Sequence, residues 1–178
     1  MTNRFKSTFD YCDRIEAEIN GFTVTARVDR DDCMGEPWKE HDGHGPVSDW
    51  TSRDKAPGER VLVSDRHSKR YYDYAEAIKI AKRDGWDAPP YGEGTPGEQA
   101  VRAVEADFKH LSDWCNDEWY WCSVILSVSK NGVTLDEYAA SLGGIESTDR
   151  SYLTEVANEL LDEAVVQGKS ILSQLCSR

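Results

Sequence analysis

Cys33, His41 and His44, with Asp31 and Asp32 just upstream, lie in one short run, "DDCMGEPWKEHDGH". Thiolate, imidazole and carboxylate are the side chains that ligate transition metals. Zinc needs four ligands converging tetrahedrally, mostly from short paired spacings. Cys-x7-His-x2-His is not a pairing of that kind, and the flanking acids do not follow the EF-hand pattern that would suit a harder cation. His41 and His44 with Asp42 could equally serve as a general base and the carboxylate that orients it. The chain holds no Gly-x-Ser-x-Gly, no HExxH and no cysteine in a recognisable catalytic setting. The glycines of "YGEGTPGEQ" follow no strand and lack the Lys-Ser/Thr step of a phosphate loop. His67 and His110 stand alone in sequence. The expectation is a protein without catalytic residues or cofactor, and a small metal-dependent enzyme centred on His41 and His44 is the alternative.

A second set of chemistry-bearing residues is basic. From Arg66 to Arg83 there are six basic residues against two acids. Arg70, Lys79 and Arg83, beside Tyr71 and Tyr72, could hold a phosphate or carboxylate. The ordinary reading is that these cations pair with nearby acids, since surface ion pairs are common and individually weak. A third set is aromatic and acidic. "DWCNDEWYW", residues 113–121, puts Trp119 among Asp113, Asp117 and Glu118. Exposed, such a cluster would anchor a protein partner; packed inward, it is core. A fourth set is acidic alone. Glu155, Glu159 and Glu163 recur every four residues and so line one side of a helix.

The elements that must position these groups are legible from pattern. Asn20-Gly21 and Asn131-Gly132 each sit between alternating segments, the signature of a β-hairpin with a type I′ turn. Cys122, Val124, Leu126 and Val128 face one way along the strand before Asn131. "RVLVSDRHSKRYYDY" reads as a third hairpin turning between Asp65 and Lys69. Three helices are expected. The first ends at Gly85 with Lys82 and Arg83 in its last turn. The second opens at Thr95-Pro96 with Glu98, carries the apolar stripe Val101, Val104, Phe108, Leu111 and Cys115, and closes on Asn116 in the left-handed conformation. The third carries Leu153, Val156, Leu160 and Ala164 and stops at Gly168, leaving a tail, 169–178, to pack or fray. Together they predict a single α+β domain over residues 1–178: an antiparallel sheet built from β-hairpins with about three helices on one face. The segment 31–58 is a long ordered loop, too rich in Gly and Pro over 33–50 for helix or strand. Trp38 and Trp50 would pin it to a sheet face or edge, with Gly43, Gly45 and Pro46 bending it between them.

Composition narrows the functional class. The 178 residues include six Trp, eight Tyr and four Phe, enough apolar area for a packed core. Five cysteines at irregular spacing, with no CxxC, argue for reduced thiols rather than a disulfide framework, with Cys115 and Cys122 expected to be buried. Neither a signal-peptide pattern nor an apolar run of spanning length is present, which points to the cytoplasm. The net charge of −12 disfavours direct binding to a nucleic-acid backbone and suits a basic partner. The acids concentrate between Glu105 and Glu163, where thirteen stand against three basic residues.

In order along the chain, "DGHGPVSDW", "PGERVL", "YYDYAEAIKIAKRDGWD", "AVEADFKHLSDWCNDEWYW" and "SLGGIESTDRSYLTEVANELLDEA" resemble a family of uncharacterised proteins of bacteriophages, prophages and other mobile elements. The resemblance runs from about residue 30 to 165 and departs at Gly143, where the family often has an aromatic. It carries over no catalytic residue. It implies an accessory protein acting in a bacterial cytoplasm that binds and inhibits a host factor, a nucleic-acid-handling or defence protein, through protein–protein contact or by mimicry of DNA. A structural or assembly role in the virion is a further alternative.

Overall fold

The computed structural model describes residues 5–10 and 12–176. The elements in order are β1 (Arg14–Ile19), β2 (Phe22–Arg30), α1 (Pro37–Glu40), β3 (Glu59–Asp65), β4 (Ser68–Asp73), α2 (Tyr74–Asp84), α3 (Pro96–Cys115), β5 (Trp121–Lys130), β6 (Val133–Glu146) and α4 (Arg150–Cys176). The fold is α+β with antiparallel strands, and the chain falls into two compact units: 1–34 with 120–178, and 35–119.

The first unit is a four-stranded antiparallel sheet in the order β1-β2-β5-β6, with α4 packed on one face. Both Asn-Gly pairs turn as the sequence predicts. Asn20 and Gly21 have φ of 53° and 76°, Asn131 and Gly132 of 51° and 77°, the left-handed pair a type I′ hairpin requires. The strands flanking them pair as Ile19↔Phe22 and Lys130↔Val133. Between these hairpins β2 pairs with β5, from Thr23↔Ser129 to Arg30↔Cys122. Cys122, Val124, Leu126 and Val128 are fully buried and meet Leu153, Val156, Leu161 and Ala164 of α4 in one core cluster. Asp149 caps that helix, its carboxylate accepting from the Ser151 and Tyr152 amides at 2.9 and 3.0 Å.

Gly168 does not stop α4. The helix runs through it to Cys176, so the segment expected to pack or fray as a tail is helical as far as residue 176. A Cβ at Gly168 would lie 2.9 Å from Val128 Cγ2 and 3.1 Å from Phe22 Cε1. The glycine is there for close approach of helix to sheet, a role with the same sequence signature as a cap. Gly143 has a comparable reason. A Cβ there would lie 2.7 Å from Asp31 Oδ2 and 2.9 Å from Ser123 Oγ, so an aromatic at this position is incompatible with the local packing.

The second unit holds the two-stranded sheet β3-β4 and helices α1, α2 and α3. The third hairpin thus forms its own sheet, turning at Arg66-His67, with pairing from Glu59↔Asp73 to Asp65↔Ser68. Asp73 caps α2 through the Glu76 amide at 2.9 Å, and Gly85 ends it in the left-handed region at φ 70°. Thr95 and Glu98 form a capping box with Pro96 at the first turn of α3. Asn116 is not left-handed. Its φ is −100°, and its side chain donates to the Ser112 carbonyl at 2.8 Å, so it closes α3 by hydrogen bonding while Asp117 takes the positive φ of 58°. Of the predicted α3 stripe, Val104 and Leu111 are fully buried, Phe108 and Cys115 pack against their cluster, and Val101 stays exposed.

The 31–58 segment contains one turn of helix, α1, that its composition did not announce; Pro37 at the first turn supplies the fixed φ. Further on it runs along the free edge of β4. The Thr51 amide donates to the Lys69 carbonyl at 2.9 Å, the Lys69 amide returns the bond at 2.8 Å, and the Ser48 amide donates to the Tyr71 carbonyl at 2.8 Å. The loop covers that edge through its backbone, whereas the sequence pointed to the indoles of Trp38 and Trp50 for this role. Among the described residues no helix is long and apolar enough to cross a membrane.

Candidate functional site

On α4, Glu155, Glu159 and Glu163 are all exposed, as is Asp162 beside them. The helix displays them because its opposite stripe, from Leu153 to Val165, is consumed by the sheet. None of these four carboxylates makes an ion pair among the described residues. Several carboxylates elsewhere do. Glu59 takes Arg53, Glu105 takes Arg60 in a two-pronged contact at 2.8 Å, Asp87 takes Arg102 at 3.1 Å, and Asp113 takes Lys109 at 2.5 Å. The pairing lowers the Glu59 and Glu105 carboxyls below the ordinary range, chiefly through the arginine hydrogen bonds.

The basic residues do not converge on an anion site. Lys79 pairs with Glu76 at 2.7 Å and Arg83 with Asp84 at 2.6 Å, both on the exposed side of α2. Arg70 is buried instead, donating from Nη2 to Glu36 Oε1 at 2.6 Å. Local ion pairing accounts for these three cations, because each has an acid within a few residues or across the loop. Tyr72, named beside it, points inward, fully buried.

The aromatic-acidic run 113–121 is not an exposed patch. Trp119 and Trp121 are only 2% and 4% exposed. Trp119 donates its indole N–H to the His110 carbonyl at 2.8 Å and stacks on the His110 ring at 4.5 Å. Asp117 and Glu118 are exposed at the turn, but their aromatic neighbour is unavailable to a partner. Burial wins because an indole recovers more free energy from removed area than its single N–H loses when it finds a carbonyl.

Among the described residues no three His, Cys, Asp or Glu side chains gather closely enough to hold a metal, so Cys33, His41 and His44 are not a ligand set. The cysteines are free thiols, and burial pushes Cys115 and Cys122 up to about 11. His44 has a different partner, missed in the sequence because it lies 63 residues away. Its Nδ1 is 2.6 Å from Asp107 Oδ1. The other Asp107 oxygen accepts from the Tyr72 hydroxyl at 2.6 Å and the Gly45 amide at 2.8 Å. Burial, then that bond to Asp107, raises the Tyr72 phenol far above its ordinary value. Asp107 thereby fastens the loop and β4 to α3. The same geometry orients the imidazole, as a carboxylate does for a general base. No family model, curated protein or solved structure matches the chain.

Proposed function

We propose that this is a non-catalytic binding protein of a bacterial mobile element that inhibits a host protein by occupying its basic surface with the acidic face of α4. One observation carries the reading: Glu155, Glu159, Asp162 and Glu163 stand exposed together on one side of a single helix, with no ion pair among the described residues. A negative field that is not neutralised internally is available to a partner. From Glu155 to Glu163 the row spans about 12 Å of helix. Duplex DNA carries about seven phosphates over that distance. The face is therefore a partial imitation of a polyanion, suited to moderate, salt-sensitive affinity for a nucleic-acid-handling protein.

The test is competition with duplex DNA for a panel of purified DNA-binding proteins from the bacterial cytoplasm. The protein should displace DNA from at least one of them. The combined variant Glu155→Gln, Glu159→Gln, Glu163→Gln should weaken that by about tenfold, since exposed charge contacts are worth roughly 0.5 kcal/mol each. No displacement from any member, or an unchanged variant, contradicts the proposal.

The His44–Asp107 pair favours a second reading, a small enzyme with His44 as general base. Its signature would be an activity abolished by His44→Gln in a protein that remains folded.

A further inference from the structure

Within the second unit lies a cavity of about 200 Å³ whose walls include three indoles, Trp38, Trp50 and Trp114. Trp38 and Trp114 meet edge to face, with ring centroids 5.6 Å apart. Arg70 lines the cavity, with its guanidinium carbon 5.3 Å from the Trp38 centroid and 5.2 Å from that of Trp50. The residue is 7% exposed. Its Nη2 is satisfied by Glu36 at 2.6 Å, whereas Nη1 is buried with no hydrogen-bond partner. A buried, charged donor left without an acceptor is costly, about 1–3 kcal/mol or more, and native structures seldom retain one without a use for it.

We propose that this cavity binds a small planar monocarboxylate with an aromatic body, its carboxylate accepting from the Arg70 guanidinium and its ring lying against the indoles. Three features select that class. The polar end must be an acceptor, because guanidinium nitrogens only donate, and a carboxylate is their strongest partner. The charge must be single. Arg70 and Lys39 together face Glu36, with Lys39 at 3.0 Å from it, which leaves an excess of one positive charge. Cys115, also in the wall, is a neutral thiol at neutral pH because burial raises it to about 11. The body must be small and apolar. About 200 Å³ is below the roughly 300–1,000 Å³ of sites for drug-sized molecules and suits one ring with a short side chain. Inorganic phosphate fits neither the charge nor the walls. Trp50, which lines the cavity, is 45% exposed.

Ligand-observed NMR titration of the full chain with benzoate, benzamide and inorganic phosphate tests this. Benzoate should bind saturably, benzamide at least tenfold more weakly, and phosphate not at all. Arg70→Lys should abolish benzoate binding. Should that buried substitution prevent folding, Trp50→Ala, at the exposed indole, provides the second test: circular dichroism should be unchanged and benzoate affinity at least fivefold lower. Absence of saturable benzoate binding, equal binding of benzamide, or wild-type affinity in Trp50→Ala overturns the assignment.

Discussion

Asp107 accepts from three groups at once, the His44 ring, the Tyr72 hydroxyl and the Gly45 amide. Removing it orphans all three donors, whereas removing His44 leaves the carboxylate two partners. Asp107→Ala should therefore destabilise by about 3 kcal/mol or more and His44→Ala by about 1–2 kcal/mol. Urea denaturation of the two variants checks the order; the reverse order would mean that the imidazole, not the carboxylate, holds the loop. Gly45 belongs to the same knot, since a Cβ there would collide with the Tyr72 phenol. The sequence exposes His44 and Gly45 as suggestive residues but not their partner. Asp107 sits mid-helix among ordinary solvent-facing acids, and only tertiary packing brings it across. The same limit hides the Arg70 cavity, whose indoles come from three separate segments, at Trp38, Trp50 and Trp114.

Turns, caps and periodic stripes are the elements that local chemistry dictates, and they are where the sequence reading succeeds. Two Asn-Gly hairpins, the Thr95–Glu98 capping box and Gly85 at the end of α2 all follow from φ preferences and orphan amides. The reading breaks where a residue type has two uses. Gly168 looks like a stop and is a contact; Asn116 looks left-handed and is a side-chain cap. Gly168→Ala distinguishes these uses. In a merely helical position Ala would stabilise by about 1 kcal/mol. Against Val128 and Phe22 the added methyl overpacks a β-branched neighbour, and a net loss of about 1 kcal/mol is expected. A raised melting temperature would show that α4 does not need that approach. The β2–β5 pairing is a further element beyond local reading, because the strands are separated by the whole of the second unit.

Over the whole molecule the balance of charge decides both stability and partner. Several carboxyls are held below their ordinary values. For Asp31, burial acts to raise it, but the Cys33 and Gly144 amides and the Ser123 hydroxyl outweigh that. Burial likewise raises Glu36, while Lys39 and Arg70 bring it down. For Asp149, the Ser151 hydroxyl is the leading cause. Groups depressed in the folded state stabilise it fully above their unfolded values, about 4, and lose that contribution as pH falls through the lower folded values. The melting temperature should be insensitive to these groups above about pH 5 and drop steadily below pH 4. A melting temperature that held or rose between pH 4 and 2 would contradict these assignments. The acids of α4 lie outside this scheme, exposed and without an ion pair among the described residues, and their charge is open to a partner. The most direct measurement is the affinity for the DNA-binding protein that the competition identifies, followed across a salt series for the wild type and for Glu155→Gln, Glu159→Gln, Glu163→Gln. A steep fall with salt for the wild type, shallower and about tenfold weaker at low salt for the variant, is the result expected of an α4 face that acts as a polyanion. Parallel salt dependences of equal strength would place the binding surface elsewhere and remove the basis for the proposed function.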